Sequence, residues 1–204
     1  IRAAGRRVED VGIEGRIGLY NTTVDQFGER LDGWREMGAT HVTQLHTRDP
    51  KGADMRVVVG PLRTARAVWI TGGRQWRLCD AFEGTPMIAA CHAVLQRGGV
   101  IGGSSAGATI QGEFLVRGNP LGNTEMWCEG YDRGFAFLPG CAIDQHFVAR
   151  RREGDLAALI TKIPSVIGLG IDEGTACGWP RCDSRARTTL RRRRGSVALR
   201  TATK

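Results

Sequence analysis

The sequence holds no apolar run long enough to cross a bilayer, which excludes a helical membrane span. Its first ten residues, IRAAGRRVED, are too polar for a secretory leader. The sequence does not begin with Met, so an earlier segment stays open, and with it the compartment, cytoplasmic or exported. Zinc-finger spacing, an RNA-binding aromatic motif and a basic zipper are all missing. The four histidines, His41, His46, His92 and His146, form no H-x-x-x-H or Cys/His cluster, so no metal site is expected. Six cysteines are scattered, with only Cys177 and Cys182 close together, which argues against a disulfide framework. There is no internal repeat and no clear linker before about residue 178, so a single domain over 1–204 is expected.

What is present is ordinary for a soluble globular chain: 204 residues, 41% hydrophobic and 25% charged. The 29 glycines suit many tight turns between short strands. Net charge is +8 with a pI near 9.7, and much of the excess sits in the run Arg191, Arg192, Arg193, Arg194. That run reads as part of an irregular, solvated tail over 177–204, in which a hairpin and loose packing are equally open, with neither nucleic acid nor membrane expected as a partner.

From about residue 16 to 176 short apolar runs alternate with helical segments, the pattern of an α/β domain with a largely parallel sheet. RIGLYNT, THVTQLHT, ARAVWITGG, VIGG, GFAFLPGCAIDQHF and SVIGLGIDEGTA supply strands. Helical spacing is predicted for VDQFGERLDGWREMGA, with Phe27, Leu31, Trp34 and Met37 roughly on one face, and for PMIAACHAVLQRGG and RRREGDLAALITKIP. ATIQGEFLVRG is predicted to continue as a helix after the VIGG strand.

Between VIGG and that segment stands Gly103-Ser104-Ser105-Ala106-Gly107, a G-x-S-x-G pattern that suits a serine on a sharp strand-to-helix turn. Flanking glycines leave room for a strained backbone and a close substrate, although small residues also crowd ordinary turns. A serine hydroxyl needs a base, and the base needs a partner to orient it. His146 follows an apolar strand in AIDQHF, and Asp172 and Glu173 follow another in GIDEGTA. Carboxyl ends of parallel strands share one edge, so these residues can meet Ser105 there. Alternation along a strand means that only one of Asp172 and Glu173 faces such a site, and either one fits.

Taken together, TGGRQWRL, GGVIGGSSAGA, AIDQHFVARRR and GLGIDEGTA resemble the cyanophycinase and peptidase E family of serine peptidases. The four motifs stand in order, with His146 41 residues after Ser105 and Glu173 27 after His146. The resemblance implies a three-layer α/β fold like that of class I glutamine amidotransferases. It implies a triad of Ser105, His146 and Glu173, leaving Asp172 a supporting role, with oxyanion donors at the amides of Gly73 and Ala106. Each such donor is worth about 3 kcal/mol of barrier. Gln75, Asp144, Gln145, Arg150 and Arg152 match positions that contact substrate in cyanophycinase-like proteins. Arginine suits the free carboxylate of an aspartyl substrate.

Two positions depart from cyanophycinases: Arg74 stands where an aspartate is usual, and Asp155 where a third arginine is usual. The family also usually has an additional strand before RIGLYNT. The reading is therefore a serine peptidase or amidohydrolase that cleaves an aspartyl or β-aspartyl bond through an acyl-enzyme, without a cofactor. Its partner is a peptide or small dipeptide, and a homodimer is left open. A true cyanophycinase releasing β-Asp-Arg dipeptides, and an inactive binding module of the same fold, are the alternatives.

Overall fold

The apolar runs become strands and the helical-period segments become helices, in the alternating order of an α/β fold. The computed structural model describes residues 16–17, 25–51, 56–178, 189–192 and 197–200. The chain forms two compact units, Ile1–Ala108 and Thr109–Lys204.

The first unit runs β1 (Arg16–Ile17), α1 (Asp25–Glu36), β2 (Gln44–Leu45), α2 (Arg56–Val59), β3 (Ala67–Ile70), α3 (Gln75–Phe82), α4 (Pro86–Gln96) and β4 (Val100–Gly103). Its sheet has the order β2-β1-β3-β4, with every pairing parallel. In β3, Ala67, Val68 and Ile70 are all buried, as a parallel strand covered on both faces requires. Met87, Cys91 and Val94 recur at helical spacing on the buried side of α4. That helix opens on Pro86, whose missing N–H costs nothing in the first turn. Its end is closed at Gly98, in the left-handed region at φ 94°. α1 stops short of Met37, which is therefore 53% exposed rather than inward, while Trp34 packs on Trp69 with ring centroids 5.4 Å apart.

The second unit contains β5 (Gly112–Phe114), β6 (Leu138–Gln145), α6 (Glu153–Lys162), β7 (Ile167–Ile171), β8 (Thr175–Gly178), β9 (Thr189–Arg192) and β10 (Val197–Arg200). Its main sheet has the order β10-β7-β6-β5; β5, β6 and β7 are parallel and β10 is antiparallel to β7. Leu156, Leu159 and Ile160 on α6 pack with Val116, Ala142, Phe147 and Val166 into one apolar cluster. Acidic Glu153 and Asp155 open α6 and Lys162 closes it, which matches the helix dipole. The parallel α/β pattern predicted from the sequence is thus present as one four-stranded sheet in each unit.

Two expectations change. The helix predicted across 108–118 shrinks to α5 (Ala106–Thr109), and β5 follows it. Distant backbone claims the hydrogen bonds a helix would have used: Phe135 N–H donates to Ile110 O, Leu138 N–H to Gln111 O and Ala136 N–H to Gly112 O. The segment after residue 176, read as irregular, supplies β8 and β9, paired antiparallel, as well as β10. Arg191 and Arg192 end β9, while Arg193, Arg194 and Cys182 lie outside the described residues.

Candidate active site

The serine turn is built entirely within 67–109. Ser104 N–H donates to Ile70 O at 3.1 Å at the end of β4, Ser105 follows at φ 52°, and α5 starts at Ala106. A left-handed non-glycine residue costs about 1–3 kcal/mol and persists only where its surroundings enforce it. Both glycines of the motif provide that enforcement. A Cβ on Gly103 would stand 2.1 Å from Gly107 O, and one on Gly107 would stand 2.1 Å from Ile70 O. Backbone therefore packs on backbone on either side of Ser105, and only glycine fits.

The turn between β3 and α3 lies against the serine: a Cβ on Gly72 would be 3.1 Å from Ser105 Cβ. Gly73, next to it, holds φ 138°, which favours glycine. Ala106 is fully buried, and as the first residue of α5 its N–H has no acceptor within the helix.

The histidine and its acid come from neighbouring parallel strands. Gln145 pairs with Ile171 in register, so β6 and β7 end level and release His146, Asp172 and Glu173 at one edge. His146 takes φ 54°, and its Nδ1 hydrogen-bonds Glu173 Oε1. Asp172 instead accepts the Ala149 N–H at 3.4 Å. Of the two acids the strand alternation left open, Glu173 is the one on the imidazole.

Glu173 is held down to about 2 by its hydrogen bond with the Asp172 carboxyl, by His146 and by its own backbone N–H. A depressed carboxyl contributes stability that is complete above its ordinary value, 4.5, and is lost as pH falls toward about 2. A carbon-detected NMR titration should find the Glu173 carboxyl still largely ionised as pH falls below 4.5, with its midpoint near the lower end of that window at about 2. In His146→Ala its midpoint should rise partway toward 4.5, since the Asp172 bond remains. An unmoved midpoint would mean that the pair does not interact.

Behind this edge lies an ion network that the sequence did not suggest. Asp144 is fully buried and accepts Arg117 Nε on both oxygens at 3.0 Å, Arg117 Nη2 at 2.9 Å and Arg152 Nη1 at 2.9 Å. Arg117 Nη2 also meets Asp155 at 2.8 Å, and its Nη1 donates to Asn123 O and Thr124 O. Burial works against the Arg117 cation, but the bonds to Asp144 and Asp155 outweigh it and raise its pKa. For Arg152 burial is the larger effect and lowers the pKa, with Asp144 opposing it.

Asp144 and Arg152, expected from the resemblance to touch substrate, are therefore enclosed and bonded to each other. Gln75 is buried at the start of α3, and Arg150 is exposed. Gln145 is 7% exposed, and its Oε1 has no hydrogen-bond partner among the described residues. Burial pushes the Cys91 thiol up to about 12 and raises that of Cys141, so neither offers a thiolate at neutral pH. Among the described residues no group of three or more His, Cys, Asp or Glu side chains is placed to hold a metal, and no helix is long and apolar enough to cross a membrane.

The first unit thus carries a glycine-walled serine turn and the second a histidine hydrogen-bonded to a glutamate, each on a parallel α/β sheet. The chain belongs to peptidase family S51, whose model matches residues 21–179. It is 31% identical over 156 residues to a cyanophycinase of Nostoc sp. (strain PCC 7120), covering 76% of this chain and 52% of that protein. A cyanophycinase of Synechococcus elongatus is 30% identical over 172 residues, covering 82% and 52%. The chain thus spans about half the length of the curated relatives it matches. Among solved structures, a peptidase from an acI-B1 Actinobacterium aligns with TM-score 0.56 at 20% identity over 81% of this chain and 68% of that one. A peptidase E candidate from Listeria monocytogenes EGD-e aligns with TM-score 0.57 at 15% identity over 95% and 88%. These two likenesses show the fold.

Proposed function

We propose that the chain is a serine peptidase or amidohydrolase acting on an aspartyl or β-aspartyl bond, with Ser105 as nucleophile, His146 as general base and Glu173 as its orienting acid. The observation that carries this reading is the left-handed Ser105, fixed between two irreplaceable glycines. Ser105 Oγ attacks the amide carbonyl carbon and gives its proton to His146 Nε2. Glu173 keeps Nδ1 protonated and stabilises the imidazolium. The amides of Ala106 and Gly73 receive the oxyanion. As the C–N bond breaks, His146 protonates the leaving amine, and water then hydrolyses the acyl-enzyme with His146 again as base.

Arg150, exposed in the turn that follows His146, is suited to a substrate carboxylate. Gln145 Oε1, buried without a hydrogen-bond partner among the described residues, would recover about 1–3 kcal/mol from a donor on the substrate. Asp144 and Arg152 support the site from behind.

The test is labelling with a fluorophosphonate, followed by peptide mapping. The adduct should fall on Ser105 and be absent from Ser105→Ala. An adduct elsewhere, or hydrolysis without any adduct, would sink the reading. A panel of α-aspartyl dipeptides, β-aspartyl dipeptides and cyanophycin then assigns the linkage. With Asp144 enclosed by arginines, small aspartyl dipeptides should be cleaved faster than cyanophycin.

A further inference from the structure

The geometry points to Arg152, fixed by Asp144 and Arg117, as a positioning residue for the His146 imidazole. Three consecutive carbonyls around that histidine are captured by residues 150–152. Gln145 O accepts from Arg152 Nη1 at 2.6 Å, His146 O from the Arg150 N–H at 3.0 Å, and Phe147 O from the Arg152 N–H at 2.9 Å. Arg152 thus ties the turn on both sides of His146, once through its main chain and once through its guanidinium.

The guanidinium is itself held in place. It is 4% exposed, and the nitrogen that reaches Gln145 O also donates to Asp144 Oδ1 at 2.9 Å. Asp144 is clamped in turn by the fork of Arg117. From the β7 side the turn is pinned by Phe147, whose ring occupies space that only Gly170 leaves open: a Cβ there would be 2.4 Å from it.

These ties are needed because the loop is strained at both ends, with His146 at φ 54° and Arg151 at φ 53°. Each left-handed residue costs about 1–3 kcal/mol, so an untied loop relaxes toward extended backbone. Such a relaxation swings the imidazole away from Glu173, and a shift of about 1 Å at a reacting group costs up to roughly a hundredfold in rate. The catalytic consequence rests on His146 being the general base. The tie between Arg152 and the histidine–glutamate pair does not.

The test uses the full chain and reads the low-field proton NMR signal of the His146 Nδ1–H shared with Glu173, assigned by its loss in His146→Ala. In a folded Arg152→Gln the signal should vanish or broaden, and fluorophosphonate labelling of Ser105 should slow by roughly tenfold to a hundredfold. A contact for substrate alone would leave the signal untouched. If Arg152→Gln does not fold, Arg152→Lys decides: it keeps a cation beside Asp144 on a shorter stem and should show a weakened signal. An unaltered signal in whichever variant decides, or no such signal in the parent chain, overturns the proposal. A parent chain with the Arg152-sensitive signal but no label on Ser105 would instead overturn the serine mechanism and leave the positioning role standing.

Discussion

On the proposed triad, replacing His146 with alanine is expected to lower hydrolysis by about 10⁶-fold, close to the loss expected from removing the nucleophile itself, because a serine and its base act as one unit. Glu173→Gln is expected to cost up to about 10⁴-fold. The amide that replaces the carboxylate can turn its NH₂ toward Nδ1, which favours the wrong tautomer and withdraws the charge that stabilises the imidazolium. Glu173 is ionised at every pH above about 4 because it is held down to about 2, so it cannot set the acid limb of a rate profile near neutrality. The check is kcat/KM on the best aspartyl substrate, for parent and variants at matched pH. A His146→Ala enzyme retaining more than about a hundredth of parent activity would remove the histidine from the mechanism.

The elements that carry these two side chains could be read from the sequence because their signals are local. VIGG running into G-x-S-x-G at their shared Gly103 marks a strand, a turn and a helix start within eight residues. CAI and VIGLGI mark the strands whose ends deliver His146 and Glu173, and parallel register does the rest. Alternation alone could not choose between Asp172 and Glu173, because both lie past the last ladder residue, Ile171, where the period-two rule lapses.

Other features depended on contacts that no window can see. The segment after α5 carries helical spacing, yet its hydrogen bonds go to residues 135–138. α3 merges with the glycine turn before it, and only its buried Gln75, Leu78, Cys79 and Phe82 disclose a helical face. Arg117 is the sharpest case. It falls near the end of the stretch predicted as helix, where nothing local marks it as buried, and its carboxylate partners lie 27 and 38 residues away. The same network shows why Asp144 and Arg152, which match substrate-contacting positions, occupy the interior here: each satisfies the other's charge.

That network sets the largest stability effect. Asp144→Ala should destabilise the folded chain by about 3–5 kcal/mol, because it leaves Arg152 buried without its carboxylate and strips Arg117 of three of its bonds. Asp155→Ala removes the same kind of partner from Arg117, but at a carboxylate 49% exposed, where water replaces it and the cost stays below about 1 kcal/mol. Both values follow from urea unfolding of the full chain, read as a lower midpoint at unchanged slope. Burial therefore predicts a clear ranking between two acids that share one arginine. Equal losses in the two variants would mean that Asp144 is no better shielded from water than Asp155. The buried network would then lose its role as the rigid support behind His146.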